Sequence, residues 1–174
     1  GRMAEPEAIA DHVSARFAAE LPWSGKRVVV TAGPTHEPLD AVRFLGNRSS
    51  GKMGFALAEV LANQGANVTL VSGPVSLPTP DRVQRRIDVE TAEEMNDVVK
   101  SFWGDMDWGI ACAAVSDFPP ESHCDRKWHR NEVPASLTLV ENPDILLGMG
   151  ATKKAHQRLV GFALETDVGE SSAL

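Results

Sequence analysis

A short basic stretch containing two glycines is the feature of the sequence that most clearly suggests chemistry. It runs from Asn47 to Gly54 and reads NRSSGKMG. Gly51 and Gly54 would let a ligand approach the backbone closely, and the free N–H groups of a helix N-terminus favour an anion. Positive charge in or just before the stretch comes from Arg43, Arg48 and Lys52. These features predict a phosphate site, although Ser49 and its neighbour are equally consistent with an ordinary helix cap.

Two better-known phosphate-binding patterns do not fit this region. The G-x-x-x-x-G-K-[ST] sequence of a P-loop is absent. Gly33 follows an apolar run, but it does not open the tight G-x-G-x-x-G turn of dinucleotide-binding proteins, and the helix glycines come only at 51 and 54. The chain also contains no tyrosine that could form a catalytic Tyr-Lys pair. An NAD(P)-dependent oxidoreductase is therefore disfavoured.

Small residues dominate the segment Ala111–Phe118, which reads ACAAVSDF at the end of an apolar run. In open α/β sheets, ligands bind beyond the carboxyl ends of the strands, where small side chains leave room. The backbone from Ala111 to Ala113 could read the edge of a base, and Asp117 could accept from a hydroxyl or orient a cation. The alternative is close helix packing on small residues, with Asp117 in a turn.

Two later segments carry further candidates. A basic cluster at 125–130, which reads DRKWHR, lies in a long polar loop. It would be either a mobile flap that delivers cations to a triphosphate or an ordinary solvated loop. Farther along, Asn142 or Asp144 could cap a helix. Phe162, near the end of an apolar run, could pack against a base or fill the core.

Composition narrows the class of protein. The formal net charge of −7 opposes broad nucleic-acid binding. No apolar run reaches the roughly 18 residues of a membrane span, and the acidic N-terminus does not read as a signal peptide. The two cysteines form neither a disulfide framework nor a zinc spacing, which indicates the cytoplasm, and Cys112 is expected in the core. The histidines form no catalytic constellation.

Hydrophobic periodicity predicts the elements that position these segments. An amphipathic helix over Pro6–Leu21 reads as a connector. The β-branched run Arg27–Ala32 is typical of a buried parallel strand. Further strands are expected over 68–72, 84–89, 108–115, 137–140 and 159–164, with 119–134 as a long loop. Three helices are expected: one over 50–64, one that begins after the cap Thr91, and one with Pro143 at its first position. In the first of these, the residues expected to face inward are Met53, Leu57, Val60 and Leu61. The alternation predicts an α/β fold, a Rossmann-like open, mostly parallel sheet with helices on both faces.

Six of these segments occur together in an order typical of one enzyme family. They read TAGPTHEPLD from Thr31, VRFLGNRSSGKMG from Val42, VSGP from Val71, AAVSDF from Ala113, ENPDI from Glu141 and GFALET from Gly161. The chain thereby resembles phosphopantothenoylcysteine synthetase from about residue 25 to 166. Residues 1–24 resemble the linker that follows a fused phosphopantothenoylcysteine decarboxylase in bacteria. Residues 25–174 would be the nucleotide-binding synthetase domain, shorter at its C-terminus than the family.

The resemblance implies a two-step ligation that forms a C–N bond in coenzyme A biosynthesis. CTP would activate the carboxylate of 4′-phosphopantothenate as an acyl-cytidylate with release of pyrophosphate, and the amine of L-cysteine would then displace CMP. Mg²⁺ would accompany the triphosphate, its protein ligands being unknown, and FMN would belong only to the decarboxylase domain. A homodimer is implied, with no membrane or nucleic-acid partner. An ATP-using ligase, a non-catalytic nucleotide-binding domain and an NAD(P)-type domain remain as alternatives.

The family's residue roles transfer to this sequence motif by motif. The nucleotide phosphates would be lined by Gly33, Ser49, Gly51 and Gly54, with Lys127 reaching the triphosphate from the flap. The cytidine would be held by Ala111, Cys112, Ala113, Asp117, Pro143, Asp144, Ile145, Leu146 and Phe162. The pantothenate side would be bound by Asn47, Arg43 and Ala114, and the catalytic set would be Asn47, Arg43 and Lys127. The flap departs from the family's usual Lys-x-Lys-Lys, because it reads Lys127-Trp128-His129-Arg130.

Overall fold

The computed structural model describes residues 3–18 and 21–164. In chain order its elements are helix α1 (Pro6–Ala18), strands β1 (Arg27–Ala32), β2 (His36–Pro38) and β3 (Phe44–Gly46), helix α2 (Lys52–Asn63), strands β4 (Asn67–Ser72) and β5 (Arg85–Asp88), helix α3 (Ala92–Trp103), strand β6 (Trp108–Ala111), helix α4 (Ile145–Thr152) and strand β7 (Arg158–Gly161). Five strands form a parallel sheet in the order β5-β4-β1-β6-β7. The predicted Rossmann-like α/β fold is confirmed.

Strand β1 lies in the middle of the sheet, and its alternating side chains pack into two hydrophobic cores, one on each face. Val28 and Val30 are fully buried and pack with the side chains of α2 on one face of the sheet. Val29 faces the opposite core, which α3 and α4 cover with Met95, Trp103, Ile145 and Met149 among others. Burying each such side chain contributes on the order of 2 kcal/mol relative to exposure. The prediction of helices on both faces is therefore confirmed.

Helix α2 differs from its prediction at its start and in the face that it buries. It begins at Lys52 rather than at Ser50, and Met53 and Val60 are 48% and 57% exposed, so their predicted inward orientation is wrong. The buried face consists of Gly54, Phe55, Ala58, Leu61 and Ala62. Small residues define this face because they let the helix approach the sheet closely. A Cβ at Gly54 would lie 2.6 Å from the Cβ of Ala32.

Four predicted boundaries in the second half of the chain are wrong. Strand β6 ends at Ala111 rather than Val115, because the amide of Ala113 donates to the Thr31 hydroxyl (3.2 Å) and leaves the strand ladder. The predicted strand 137–140 is only an isolated antiparallel bridge to Pro120. Strand β7 ends at Gly161 instead of Leu164. Helix α4 is capped by Asp144, so Pro143 precedes the cap instead of opening the helix.

The loop predicted after β1 contains a hairpin that the sequence analysis missed. Strands β2 and β3 pair antiparallel, and the rings of His36 and Phe44 stack across them with centroids 3.6 Å apart. The buried Glu37 side chain accepts from the amide of Ala92 at 3.1 Å, which ties the hairpin to the start of α3. Strands of three residues are too short to show alternation, and β2 ends in Pro38, a residue that argues against a strand.

Helix α1 forms as predicted as far as Ala18, whereas Leu21 lies in the turns that lead to β1. Its apolar stripe is exposed: Ile9, Val13 and Phe17 are 41%, 46% and 67% accessible. Within the described part of the chain, no helix is both long and apolar enough to cross a bilayer. The last two residues of the sixth motif, Glu165 and Thr166, lie outside the described residues.

Candidate functional site

The strand order creates a crevice between β1 and β6. The chain leaves β1 toward β4 on one side and leaves β6 toward β7 on the other, so the loops that follow these two neighbouring strands diverge. This switch point is where open α/β sheets bind ligands, beyond the carboxyl ends of the strands. The predicted residues Gly33, Ala111 and Phe162 follow or end β1, β6 and β7, and the parallel register therefore brings them to one edge.

Three glycines form the floor of this crevice, which is here called the glycine floor: Gly33, Gly51 and Gly73. Gly33 and Gly51 have φ values of +78° and +74°, a region that side chains rarely adopt. A Cβ on Gly51 would lie 3.4 Å from the Gly33 backbone, and a Cβ on Gly73 would lie 1.6 Å from the Pro34 carbonyl oxygen. Gly73 was given no role from the sequence, although it stands in the quoted VSGP motif. The loops after β1 and β4 thus pack backbone against backbone.

The N-terminus of α2 opens at this floor without a side-chain cap. Its cap residue is Gly51, and the Ser49 hydroxyl accepts from the Gly51 amide at 3.3 Å instead of from the first turn of the helix. The cap reading of the serines is therefore wrong for α2. Uncapped N–H groups and the helix dipole together favour an anion at this point. Gly54, also predicted to line phosphates, is buried against Ala32, which explains the need for glycine there by packing.

Asn47 joins the loop before α2 to the loop after β6. Its Nδ2 donates to the carbonyl oxygens of Ala114 (3.3 Å) and Val115 (2.9 Å), and the residue is exposed. Both bonds use the amide nitrogen, so the amide oxygen is the part of the side chain left to contact a ligand. Nearby, the fully buried Thr35 accepts from the Ser116 amide at 2.9 Å. Thr35 was not singled out from the sequence, and only its place in the first motif could have suggested it.

The start of α4 is fastened to the same loop. The Asn142 side chain donates to the Ser116 carbonyl at 2.8 Å, and its backbone amide donates to the Asp117 carbonyl at 2.8 Å. Asp144 caps α4 by accepting from the Leu147 amide at 2.8 Å, as the simpler of the two sequence interpretations has it. The segment around Pro143 is therefore held against the loop after β6.

The remaining residues predicted to contact the base divide between core and surface. Ile145 is buried in the second core, so only its backbone is available to a ligand. Leu146 packs against Gly161, where a Cβ would lie 2.5 Å from a Leu146 methyl group. Phe162 is 52% exposed, and its amide donates to the Ala111 carbonyl at 3.2 Å, so its ring is presented beside the end of β6 instead of filling the core.

Cys112, which was expected in the core, is half-buried and packs against the edge of the core that α2 covers. Burial raises the pKa of its thiol to about 11. A thiol that stays protonated at neutral pH is a poor nucleophile and a poor metal ligand. Its position therefore offers a backbone to a ligand and no reactive sulfur.

The flap (residues 125–130) lies against the turn between β2 and β3. Its Arg126 pairs with Glu132 at 2.8 Å, and hydrogen bonds from Arg126 and from the His129 amide lower the pKa of Glu132 to about 2. Arg43 pairs with the buried Asp40 at 2.6 Å. Lys127 is exposed within the flap. The structure therefore brings Arg43 and the flap to one neighbourhood.

The carboxylates of the crevice are too dispersed for a preformed metal site. In residues 3–18 and 21–164, no three His, Cys, Asp or Glu side chains are grouped so that they could hold an ion. Asp117, at the end of the small-residue segment, is an exposed carboxylate. A magnesium ion commonly takes only one or two carboxylates and completes its ligands from nucleotide phosphates and water.

Comparison with known proteins identifies the family of this chain. Residues 23–174 match the family described as DNA/pantothenate metabolism flavoprotein C-terminal domain. The chain is 44% identical to the coenzyme A biosynthesis bifunctional protein CoaBC of Escherichia coli K12, over 99% of this chain and 43% of that protein. It is 46% identical to the Bacillus subtilis 168 protein of the same name, over 95% and 41%. The chain thus spans less than half the length of these relatives.

Solved structures that share this fold include a CoaBC domain and a Cab2 mutant. The crystal structure of the C-terminal domain of CoaBC superposes with a TM-score of 0.74 at 41% identity, covering 84% of this chain and 68% of that one. A Cab2 mutant in complex with phosphopantothenate-cysteine gives a TM-score of 0.62 at 19% identity, covering 93% and 71%, which supports the fold alone. The family match over residues 23–174 and the near-complete alignment to the CoaBC proteins show that the chain belongs to the DNA/pantothenate metabolism flavoprotein C-terminal domain family, the synthetase family that its six motifs indicated.

Proposed function

We propose that this chain is the phosphopantothenate–cysteine ligase part of a coenzyme A biosynthesis protein and that it uses CTP. The observation that carries the proposal is the meeting of the motif-bearing loops after β1, β6 and β7 at one switch-point crevice, in a chain 44% identical to a CoaBC protein. The uncapped start of α2, the small residues after β6 and the exposed Phe162 supply, respectively, an anion site, room for a base and an aromatic surface.

The nucleotide would lie across the crevice as its magnesium complex. Its phosphates would contact the glycine floor and the first N–H groups of α2, near Ser49, and the ion would enter with them as part of the substrate. The base would be read by the backbone from Ala111 to Ala113, with Phe162 against its face. Asp117 and the segment from Pro143 to Leu146 would complete the cytidine pocket, with Asp144 holding the start of α4 in place.

The acyl group would be formed and transferred at the side of the crevice where Asn47 lies. A carboxylate oxygen of 4′-phosphopantothenate attacks the α-phosphorus of CTP, and the bond to the β-phosphate breaks to release pyrophosphate. The amine nitrogen of L-cysteine then attacks the acyl carbon, loses a proton, and the bond to CMP breaks. Asn47, fastened to the Ala114 carbonyl, would orient the acyl-cytidylate for this attack. Arg43 would offset the negative charge of the substrate.

Lys127 would bring a cation to the triphosphate from the flap. A carboxylate that attacks a phosphate needs its repulsion screened, and an exposed lysine on a surface segment can supply this charge. Arg130 would replace the last cation of the family's Lys-x-Lys-Lys pattern, whereas His129 stands where a lysine is usual. The phosphate side would therefore carry fewer fixed charges than the family's usual flap.

The wider assignments follow from the same proposal. Residues 1–24 would link the ligase domain to a decarboxylase that holds FMN, and the exposed stripe of α1 suits a segment that lies between domains. The ligase domain would form a homodimer in the cytoplasm, with 4′-phosphopantothenate and L-cysteine as its substrates beside CTP.

A pyrophosphate assay tests the proposal. The chain is incubated with Mg²⁺, 4′-phosphopantothenate and either CTP or ATP, and released pyrophosphate is measured with and without L-cysteine. Release with CTP and phosphopantothenate together, and formation of phosphopantothenoylcysteine when cysteine is added, supports the proposal. Release with ATP and phosphopantothenate, but not with CTP and phosphopantothenate, would show that the nucleotide is ATP. Absence of release with both nucleotides, in a chain that circular dichroism shows to be folded, would overturn it.

A further inference from the structure

The carboxylate of Asp40 accepts four hydrogen bonds, more than any other acid in residues 3–18 and 21–164 is seen to accept. It stands in the turn between β2 and β3, and its side chain is completely enclosed. Its Oδ1 accepts from the amides of Val42 and Arg43, each at 2.8 Å, which forms a closed turn. Its Oδ2 accepts from the Arg43 guanidinium at 2.6 Å and from the Trp128 amide at 3.2 Å. The two oxygens therefore serve different partners.

The Trp128 bond joins the turn to the flap. A second bond runs parallel to it, from the Cys124 amide to the Leu39 carbonyl at 3.0 Å. The Trp128 N–H belongs to the planar peptide unit that also contains the carbonyl of Lys127. Fixing this N–H therefore fixes the direction in which the backbone of Lys127 runs. One carboxylate thus contacts Arg43 by its charge and the Lys127 peptide by a hydrogen bond.

The charge state of Asp40 suits this double role. Burial acts to raise the pKa of its carboxyl, but the three backbone N–H donors and the Arg43 charge lower it more, so the net pKa lies below its usual range. The group is an anion at neutral pH and accepts from all four donors. A neutral amide would keep one acceptor oxygen for the turn and would turn an NH₂ group toward the other donors.

We propose that Asp40 is a positioning residue that holds Arg43 and the backbone of Lys127 at a fixed distance from each other. One carboxylate would thereby fix the residue of the pantothenate side relative to the residue of the triphosphate side. The catalytic consequence rests on the function proposed above. The anchoring of the flap does not, and it is measurable without substrates.

The anchoring is tested with Asp40→Asn and with a matched control, Glu37→Gln. Glu37 is also a buried acid of the hairpin, but its bond goes to α3 rather than to the flap. Tryptic cleavage after Arg130 is timed, and acrylamide quenching of Trp128 fluorescence is measured against the same proteins carrying Trp128→Phe. Asp40→Asn is expected to speed cleavage about five- to tenfold and to raise quenching of Trp128, while Glu37→Gln matches the parent.

A second variant covers the case in which Asp40→Asn does not fold. Trp128→Pro removes the N–H that Asp40 accepts and leaves the turn intact, so faster cleavage after Arg130 is again expected. Unchanged cleavage in either folded variant would overturn the proposal. Faster cleavage at exposed arginines outside the flap, such as Arg82, to the same degree would also overturn it, because Asp40 would then serve only the stability of the fold.

Kinetics separate positioning from structure. With CTP and phosphopantothenate as substrates, Asp40→Asn is expected to raise KM for CTP through the loosened flap and also to lower kcat through Arg43, while Glu37→Gln changes neither. A lower apparent kcat at unchanged KM, caused by a smaller fraction of folded enzyme, would contradict the positioning role. If the parent chain releases no pyrophosphate but Asp40→Asn still speeds tryptic cleavage after Arg130, the proposed function is wrong and the anchoring of the flap by Asp40 is still supported.

Discussion

The glycine floor and the flap are held in place in different ways. The floor is fixed by backbone contacts so close that a single Cβ at Gly73 would overlap the Pro34 carbonyl oxygen. The flap is exposed along most of its length and is tied by a few hydrogen bonds, chiefly to Asp40 and Glu132. Substitutions in the floor should therefore lower the free energy of unfolding, whereas those in the flap should change ligand binding with little effect on stability.

The strongest test of this contrast is Gly73→Ala. The added methyl group forces the loops after β1 and β4 apart, and we expect a loss of about 3 kcal/mol or more in the free energy of unfolding, or roughly 6–12 °C in Tm. Thermal denaturation followed by circular dichroism measures it. Gly104→Ala is the control, because its φ is −57° and a Cβ there meets nothing within 4 Å. Equal Tm values for the two variants would contradict the account of the floor.

Next in size is the effect of Asn47→Asp on the second half-reaction. A carboxylate cannot donate to the Ala114 and Val115 carbonyls, so the side chain must leave its position and no longer orients the acyl group. We expect formation of the amide to fall about 100-fold while most pyrophosphate release persists, so that acyl-nucleotide accumulates. Rapid-quench analysis of both products measures this. Asn63→Asp, on the exposed end of α2, is the control; an equal loss of both half-reactions would refute the role.

Lys127→Ala should have a smaller effect, confined to the nucleotide. Loss of one charge-assisted contact is expected to raise KM for CTP about tenfold, with Tm unchanged because the side chain is exposed. Steady-state kinetics at several CTP concentrations measure it, and Lys100→Ala on α3 serves as the control. A fall in Tm of several degrees would show that the flap supports the fold and would break the contrast with the floor.

The smallest effect is the response of the flap to pH. The pKa values of the Asp40 and Glu132 carboxyl groups are both lower in the folded protein than in the unfolded chain. Their contribution to stability is therefore complete above the pKa of about 4 that these groups have in the unfolded chain. It is lost as the pH falls through the pKa values of the folded protein, which is about 2 for Glu132. Trp128 fluorescence should therefore stay constant from pH 7 to about 4.5 and change only below. A midpoint between pH 5 and 7, at constant far-ultraviolet circular dichroism, would show that neither carboxylate controls the flap.

Features with a local sequence signal were predicted correctly, whereas features that depend on packing between distant segments were not. Strand β1 and the cap Thr91 of α3 were predicted correctly because their signals are local: a β-branched run and a threonine whose hydroxyl accepts from the Glu94 amide at 3.2 Å. On α2, Leu61 and in part Leu57 face inward as predicted, whereas Met53 and Val60 do not, because large apolar residues were preferred over Gly54 and Ala58. Close approach to β1 selects small residues, and a single helix does not reveal this.

The candidate site was predicted as a set of motifs but not as a geometry. The alignment of Gly33, Ala111 and Phe162 at one edge follows from parallel strands and was foreseeable. The pairing of Asp40 with Trp128 joins residues 88 positions apart through a backbone amide, for which sequence carries no side-chain signal. The hairpin that places Asp40 was missed for a related reason, because its strands are too short and too irregular to show periodicity.

The half-buried Cys112 has a consequence for chemical selectivity. In the proposed reaction, an activated acyl group and free L-cysteine enter a crevice that is lined in part by the backbone at Cys112. Burial raises the pKa of this thiol to about 11, so the side chain is protonated at neutral pH. The protein's own sulfur is therefore a poor competitor for the activated acyl group, and a dead-end thioester is avoided although the backbone of a cysteine lines the pocket.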